Sequence, residues 1–158
     1  HVSHGNWNDL RKPVEEAATS AWCHGSPGIL LSRLGLANSA DPVIAQEAAL
    51  DQKMALPNIL HDGFGREQSL CHGDMGNAMI LMRYGYQTNQ PEWVHVGKNL
   101  IIESANSRSK YQCGVGNEVE TPNMMLGLAG IAYGMLYACH PELPHILDLE
   151  LSGASSSE

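Results

Sequence analysis

The sequence predicts an all-α fold. Apolar residues recur at helical spacings in five segments, no stretch alternates apolar and polar residues as a strand would, and Pro or Gly punctuates the gaps. Within the irregular first twenty residues, Pro13 to Ala18 has the composition of a helical turn or two. A short apolar helix comes after Pro27, from Gly28 to about Leu36. Asp41-Pro42 then pairs an N-cap side chain with a proline at the first helical position, where no N–H partner is needed. Behind it Val43, Leu50 and Met54 repeat at +7 and +11, as Ile44, Ala48 and Ala55 do at +4 and +11. This helical stripe is expected to end near Pro57.

The Gly-rich, polar stretch from His61 to His72 reads as a loop. Met75, Ala78, Met79, Met82 and Tyr86 mark the next helix, and Ile80, Leu81 and Tyr84 make it apolar on most sides, so it belongs in the interior. Pro91 opens a further helix with Val94, Ile101 and Ala105 on one face. A polar loop from about Ser107 to Asn123 leads to an apolar helix from Met124 to Cys139. At sixteen residues with three glycines, that helix is too short for a membrane span and is expected to be buried. Pro141 and Pro144 interrupt any helical pattern beyond Cys139, and residues 152–158 read as a disordered tail.

A repeat overlies these elements. Gly25-x-x-Gly28, Gly73-x-x-Gly76 and Gly127-x-x-Gly130 lie at or near the starts of three apolar helices, 48 and then 54 positions apart. Periods of that size suggest stacked helical hairpins in a solenoid or a closed α/α ring. With 158 residues there is room for about three such hairpins, hence a partial ring.

Composition narrows the function. Nine Lys plus Arg against seventeen Asp plus Glu give a net charge of −8, which argues against a nucleic-acid or anionic-membrane partner. The chain shows no secretory signal and begins at His1 rather than Met, so it is not expected to start at a native terminus. Four cysteines in a chain of this length do not demand a disulfide framework, and a reducing, cytoplasmic setting is expected.

Cys23 and Cys71 each precede a His and then a Gly, in Trp22-Cys23-His24-Gly25 and Cys71-His72-Gly73. Both segments hold the same place in the repeat, just before a helix. If equivalent loops gather on one face, Cys23, Cys71 and His72 converge. Two thiolates and an imidazole suit zinc, and three protein ligands with a fourth position open is the catalytic pattern. The other reading is that buried cysteines pack as small hydrophobes. Cys113 and Cys139 are assigned packing or loop roles, and His61, His95, His140 and His145 are expected at the surface. Two thiolates offset the charge of the ion, leaving it a weak Lewis acid suited to holding a third, electron-rich thiolate. Such a site favours alkylation or conjugate addition of a substrate thiol over water activation.

These residues also carry a resemblance. Trp-Cys-His-Gly-Ser-Pro-Gly-Ile (22–29), Leu-Cys-His-Gly-Asp-Met-Gly-Asn (70–77) and Met-Leu-Gly-Leu-Ala-Gly-Ile-Ala-Tyr-Gly-Met-Leu (125–136) resemble the lanthionine synthetase cyclase (LanC-like) family. They are most similar to the C-terminal cyclase domain of class II lanthipeptide synthetases, the LanM type. Asn6-Trp7-Asn8-Asp9-Leu10-Arg11 and the closing Pro-His-Ile-Leu-Asp-Leu-Glu (144–150) resemble segments of the same domain. The resemblance implies an α/α toroid of seven inner and seven outer helices. It implies addition of precursor-peptide cysteine thiols to dehydroalanine or dehydrobutyrine, giving lanthionine or methyllanthionine rings. The implied zinc ligands are Cys23, Cys71 and His72.

The family also places a catalytic His in an Ala-His-Gly-like helix upstream of the Asn-Trp segment, and an Asp further upstream. Neither is present; Ser3-His4-Gly5 mimics part of the motif but abuts Asn6 directly. Residues 1–151 are therefore expected to be the C-terminal part of a cyclase domain. Its partners would be the missing N-terminal part, a dehydratase domain and a dehydrated precursor peptide. Conjugate addition leaves an enolate that needs a proton. His24 either supplies or relays that proton, or serves only to shape the ligand loop. Two other functions fit the motifs: LanC-like addition of glutathione to dehydrated residues, and a non-catalytic zinc-binding helical scaffold.

Overall fold

Helices α1 (Ser26–Leu36) and α2 (Pro42–Asp62) pack as a hairpin, and α3 (Asp74–Gln87) and α4 (Pro91–Asn106) as a second. Helix α5 (Leu128–Cys139) lies against α3 and α4, and α3 stands between α1 and α5. The computed structural model describes residues 2–3, 5–11, 19–107, 109–116 and 119–148. The fold is all-α apart from a small antiparallel pairing of β1 (Val2–Ser3) with β2 (Asn6–Trp7), in the register Val2↔Trp7 and Ser3↔Asn6. That pairing corrects the expectation of no strand; at two residues each, the strands are too short to show alternation. Two hairpins and a fifth helix stand where three hairpins are expected. Among the described residues α5 is followed by a 3-10 turn, Ile146–Asp148, rather than by an outer helix. The expected helical turn at 13–18, the tail at 152–158 and His4 lie outside the described residues.

Helix α3 forms the centre, as its apolar sequence predicts. Met75, Ala78, Met79, Ile80, Leu81 and Met82 are all fully buried. The outer helix α4 covers it with Ile101, half-buried Val94 and Leu100, and Trp93 set edge-on to Tyr84 at 5.9 Å. Helix α1 begins at Ser26, two residues before the expected start, with Pro27 accommodated in its first turn. Its Arg33 ties it to α2 through Asp51 (2.6 Å), and the Gln52 side chain donates to the Arg33 carbonyl (3.0 Å).

Helix α2 departs from expectation twice. Asp41 caps it by accepting from the Val43 amide (2.9 Å), but the helix runs through Pro57 to Asp62. Pro57 is on the exposed side, where the carbonyl left without an N–H is open to solvent, while Leu56, Asn58 and Ile59 hold the last turns in the core. The buried face is Ala48, Gln52, Ala55, Leu56 and Ile59, because small side chains and the Gln52 bond let α2 lie close to α1. Val43, Leu50 and Met54 are 66%, 48% and 40% exposed, one step around the helix from the true contact face, and Ile44 is exposed as well.

At the other end, α5 starts at Leu128 rather than Met124. The Asn123 side chain accepts from the amides of Met125 (2.7 Å) and Leu126 (3.0 Å), holding that segment as a turn. The C-terminal segment folds back on the helices. Asp148 pairs with Arg83 of α3 (2.7 Å), and the Tyr133 hydroxyl donates to the Pro144 carbonyl (2.7 Å). His145 is 1% exposed, 3.3 Å from Asp148 and edge-on to Tyr137 at 5.4 Å, which corrects its expected place at the surface. Two prolines and a polar context suggested exposure; the apolar ring of Tyr137 and the Asp148 carboxylate supply an interior instead. Among the described residues no helix is long and apolar enough to cross a membrane.

Candidate metal centre

Gly25, Gly73 and Gly127 are the N-cap residues of α1, α3 and α5. Each is followed three residues later by a second glycine, Gly28, Gly76 or Gly130. A Cβ on these would strike the carbonyl of the residue six positions earlier: Trp22, Leu70 or Met124. The capping glycines meet the carbonyls of Thr19, Glu67 and Thr121 in the same way. The chain thus doubles back on itself in one conformation, used three times. The amides of Gly28 and Gly76 donate to Ala21 (3.4 Å) and Ser69 (3.3 Å), and those of Asp74 and Leu128 to Glu67 and Thr121 (both 2.8 Å). Only glycine permits so close a backbone approach.

Successive loops are also bonded to one another at equivalent positions. The Cys23 amide donates to the Cys71 carbonyl (3.3 Å), and the Cys71 amide to the Met125 carbonyl (2.9 Å). Helices α1, α3 and α5 therefore begin side by side at one end of the molecule. At α1 a residue from outside the loop completes the cap. The Asn6 side chain accepts from the Ser26 amide (2.8 Å) and donates to the Thr19 carbonyl (3.3 Å).

This arrangement brings Cys23, Cys71 and His72 together, with one potential ligand atom from each lying within 4.8 Å of the others. Cys23 is exposed, while Cys71 and His72 are half-buried. All four cysteines are free thiols. Nε2 of His72 lies 3.1 Å from the Gly114 carbonyl and 3.6 Å from Oε1 of Glu67. Donation from Nε2–H to that carbonyl leaves Nδ1 as the nitrogen with a lone pair for a metal. Gly114 is itself held by its amide's bond to the Leu126 carbonyl (2.7 Å). The Cys71 thiol is pushed up to about 12, first by burial, then by its hydrogen bond with Cys23 and by the charges of Cys23 and Glu67. A neighbouring thiol and a carboxylate disfavour the ionisation of Cys71, and a bound cation reverses that balance.

His24 comes directly after Cys23 and is half-buried. The Asp9 carboxyl, in whose field it sits, is held well below the usual carboxylate range. Arg11 is the main cause, through two side-chain bonds of 2.8 Å and one from its amide (3.1 Å), and His24 adds to the effect. The Asn6–Arg11 segment thus braces the first ligand loop through Asn6 and brings Asp9 near it. Of the other candidates, His61, His95 and His140 are exposed and Cys139 is exposed at the end of α5, while Cys113 is buried. None of them joins the group. Sequence reasoning missed Glu67, Ser69 and Gly114. Gly114 is 42 residues from His72 and carries no motif, so only the fold reveals it.

The family model described as "Lanthionine synthetase C-like protein" matches residues 1–151. The Lacticin 481/lactococcin biosynthesis protein LcnDR2 of Lactococcus lactis subsp. lactis is 29% identical over 143 residues, covering 82% of this chain. The aligned part is 15% of that relative's length, so the chain spans a small share of it. With a family match across residues 1–151, the chain belongs to the lanthionine synthetase C-like family.

Proposed function

We propose that this chain carries the zinc centre of a thioether-forming lanthipeptide cyclase, with Cys23, Cys71 and His72 as the protein ligands. The convergence of two thiols and one imidazole within 4.8 Å is the observation that carries the reading. The donor set fits zinc, which takes thiolate and imidazole nitrogen readily and keeps a fourth position for substrate in catalytic sites. When bound, zinc lowers the pKa of a coordinated substrate thiol, and two thiolate ligands keep that sulfur electron-rich.

The substrate is a dehydrated precursor peptide. Its cysteine thiol gives up a proton, the sulfur bonds to the β-carbon of dehydroalanine or dehydrobutyrine, and the electron pair moves toward the α-carbon and its carbonyl. The α-carbon then takes a proton, so no atom is lost and the product is an isomer. His24, beside the ligand Cys23, is assigned as donor or relay of that last proton. The remainder of a cyclase domain and a dehydratase domain are the proposed partners, as the chain's short span of its relative supports. The cytoplasm is the proposed location, since metal-binding thiols need a reducing compartment.

The test is to incubate the chain with zinc and a dehydrated precursor peptide, then count free peptide thiols by alkylation and mass spectrometry. The expected outcome is loss of thiols at unchanged peptide mass, abolished by Cys71→Ala. Glutathione adducts, formed only when glutathione is added, would reassign the substrate to a free thiol. Zinc uptake with neither product would leave a metal-binding scaffold or an inactive fragment. In an intact enzyme, His24→Asn with normal zinc content is expected to slow cyclisation; an unchanged rate removes His24 from the mechanism.

A further inference from the structure

Glu67 is a carboxylate with a side chain only 15% exposed, and among the described residues its one ion-pair contact is His72. Its Oε2 accepts from the Ser69 amide (2.6 Å) and its Oε1 from the Ser69 hydroxyl (2.8 Å). Its backbone carbonyl accepts from the Asp74 amide at the start of α3 (2.8 Å). The carboxylate is therefore fixed at both oxygens, with Oε1 3.6 Å from Nε2 of His72. The Gly114 carbonyl approaches that same nitrogen at 3.1 Å. A partly buried carboxylate without a Lys or Arg is costly to retain unless something polar answers it.

We propose that Glu67 is a positioning residue that acts through His72, with the Gly114 carbonyl as its helper. The Gly114 carbonyl accepts the Nε2 proton at 3.1 Å, and the Glu67 charge, 3.6 Å away and without a hydrogen bond to the ring, favours that tautomer, so Nδ1 is left for the metal beside Cys23 and Cys71. A cation on Nδ1 polarises the ring and strengthens the Nε2–H donation, so the carboxylate and the metal reinforce each other. This rests on the proposed zinc centre, but the orientation of the metal-free ring is independent of it.

The test uses Glu67→Gln, which keeps the shape and an oxygen for the Ser69 amide but removes the charge and places a donor near Nε2. Zinc affinity, measured by chelator competition, is expected to fall about 10–100-fold, with far-UV circular dichroism unchanged. In metal-free protein, imidazole 15N shifts are expected to show His72 as the Nε2–H tautomer, with the other tautomer rising in E67Q. Ser69→Ala, which removes the hydroxyl donated to Oε1 but keeps the charge, is expected to shift the tautomer in the same direction by less than E67Q. Glu67→Asp, which withdraws the carboxylate by one methylene, serves as a second variant and is expected to shift affinity in the same direction by less. Wild-type affinity and an unchanged tautomer in E67Q would overturn the proposal, as would a larger tautomer change in S69A than in E67Q. If the wild-type chain takes up no zinc, the metal reading fails, and the tautomer comparison alone decides whether Glu67 orients the ring.

Discussion

The Cys23 amide donates to the Cys71 carbonyl at 3.3 Å, so the two thiol residues are joined through their backbones. The same bond recurs from Cys71 to Met125 at 2.9 Å. Register between the loops is thus set by main-chain bonds, and the side chains at equivalent positions are free to differ. The third loop places a thioether and a Leu where the second places a thiol and an imidazole. Met125 and Leu126 therefore add nothing to the Cys23, Cys71 and His72 group.

The repeat glycines are a steric requirement. Ala is normally better than Gly inside a helix by about 1 kcal/mol. At Gly76, however, a Cβ would strike the backbone of Leu70, which cannot rotate away. Gly76→Ala is expected to lose about 1–2 kcal/mol net in urea denaturation. Gly35, in α1 but with nothing within 4 Å, is the control: Gly35→Ala should gain about 0.5–1 kcal/mol. Equal effects at the two positions would contradict the steric account.

Gly114 makes a different contact. A Cβ there would lie 2.8 Å from both Nε2 of His72 and the Ser69 hydroxyl, so the imidazole must shift. Gly114→Ala is expected to weaken zinc binding about tenfold. Thermal unfolding of the metal-free protein should move little. Isothermal titration on the variant checks this, and unchanged affinity would show that the added Cβ does not displace the ring from its metal-binding position.

The Cys71 thiol gives a pH signature. Its folded value is pushed up to about 12 from an ordinary 9.0, so at neutral pH it is protonated in both folded and unfolded chains and contributes nothing. As pH rises from 9 toward 12 the unfolded thiol ionises and the folded one resists, so stability is lost across that window. Tyr86 and Tyr133, raised by burial, act in the same direction, so the measurement is a difference. The unfolding temperature of metal-free wild type should fall more steeply above pH 9 than that of Cys71→Ser. Parallel curves would show that the thiol is not held protonated.

Features that act locally were legible in the sequence. Asp41-Pro42, the three Gly-x-x-Gly pairs and the Cys-His doublets act within a few residues of themselves, and each marks its element or loop correctly. Pro57 misled because its effect depends on which side of α2 faces water. Val43, Leu50 and Met54 misled because close packing selected the Ala48, Gln52 and Ala55 face over the more apolar one. The start of α1 shifted because Asn6, twenty residues away, completes its cap, and α5 starts late because Asn123 holds the residues just after it in a turn. The setting of His72 was illegible because Gly114 reaches it across a loop, and Glu67 reads as one more surface acid until Ser69 is seen to pin it.

Metal stoichiometry tests the central claim most directly. Chain purified under reducing conditions and loaded with zinc should hold one ion per molecule by mass-spectrometric metal analysis. Cobalt substitution should give the intense visible bands of a thiolate-rich tetrahedral site. Cys23→Ser, Cys71→Ser and His72→Ala should each abolish the ion, while Cys113→Ser and Cys139→Ser should retain it. Absence of metal from the wild type, or full retention after replacing Cys23 or Cys71, would contradict the account.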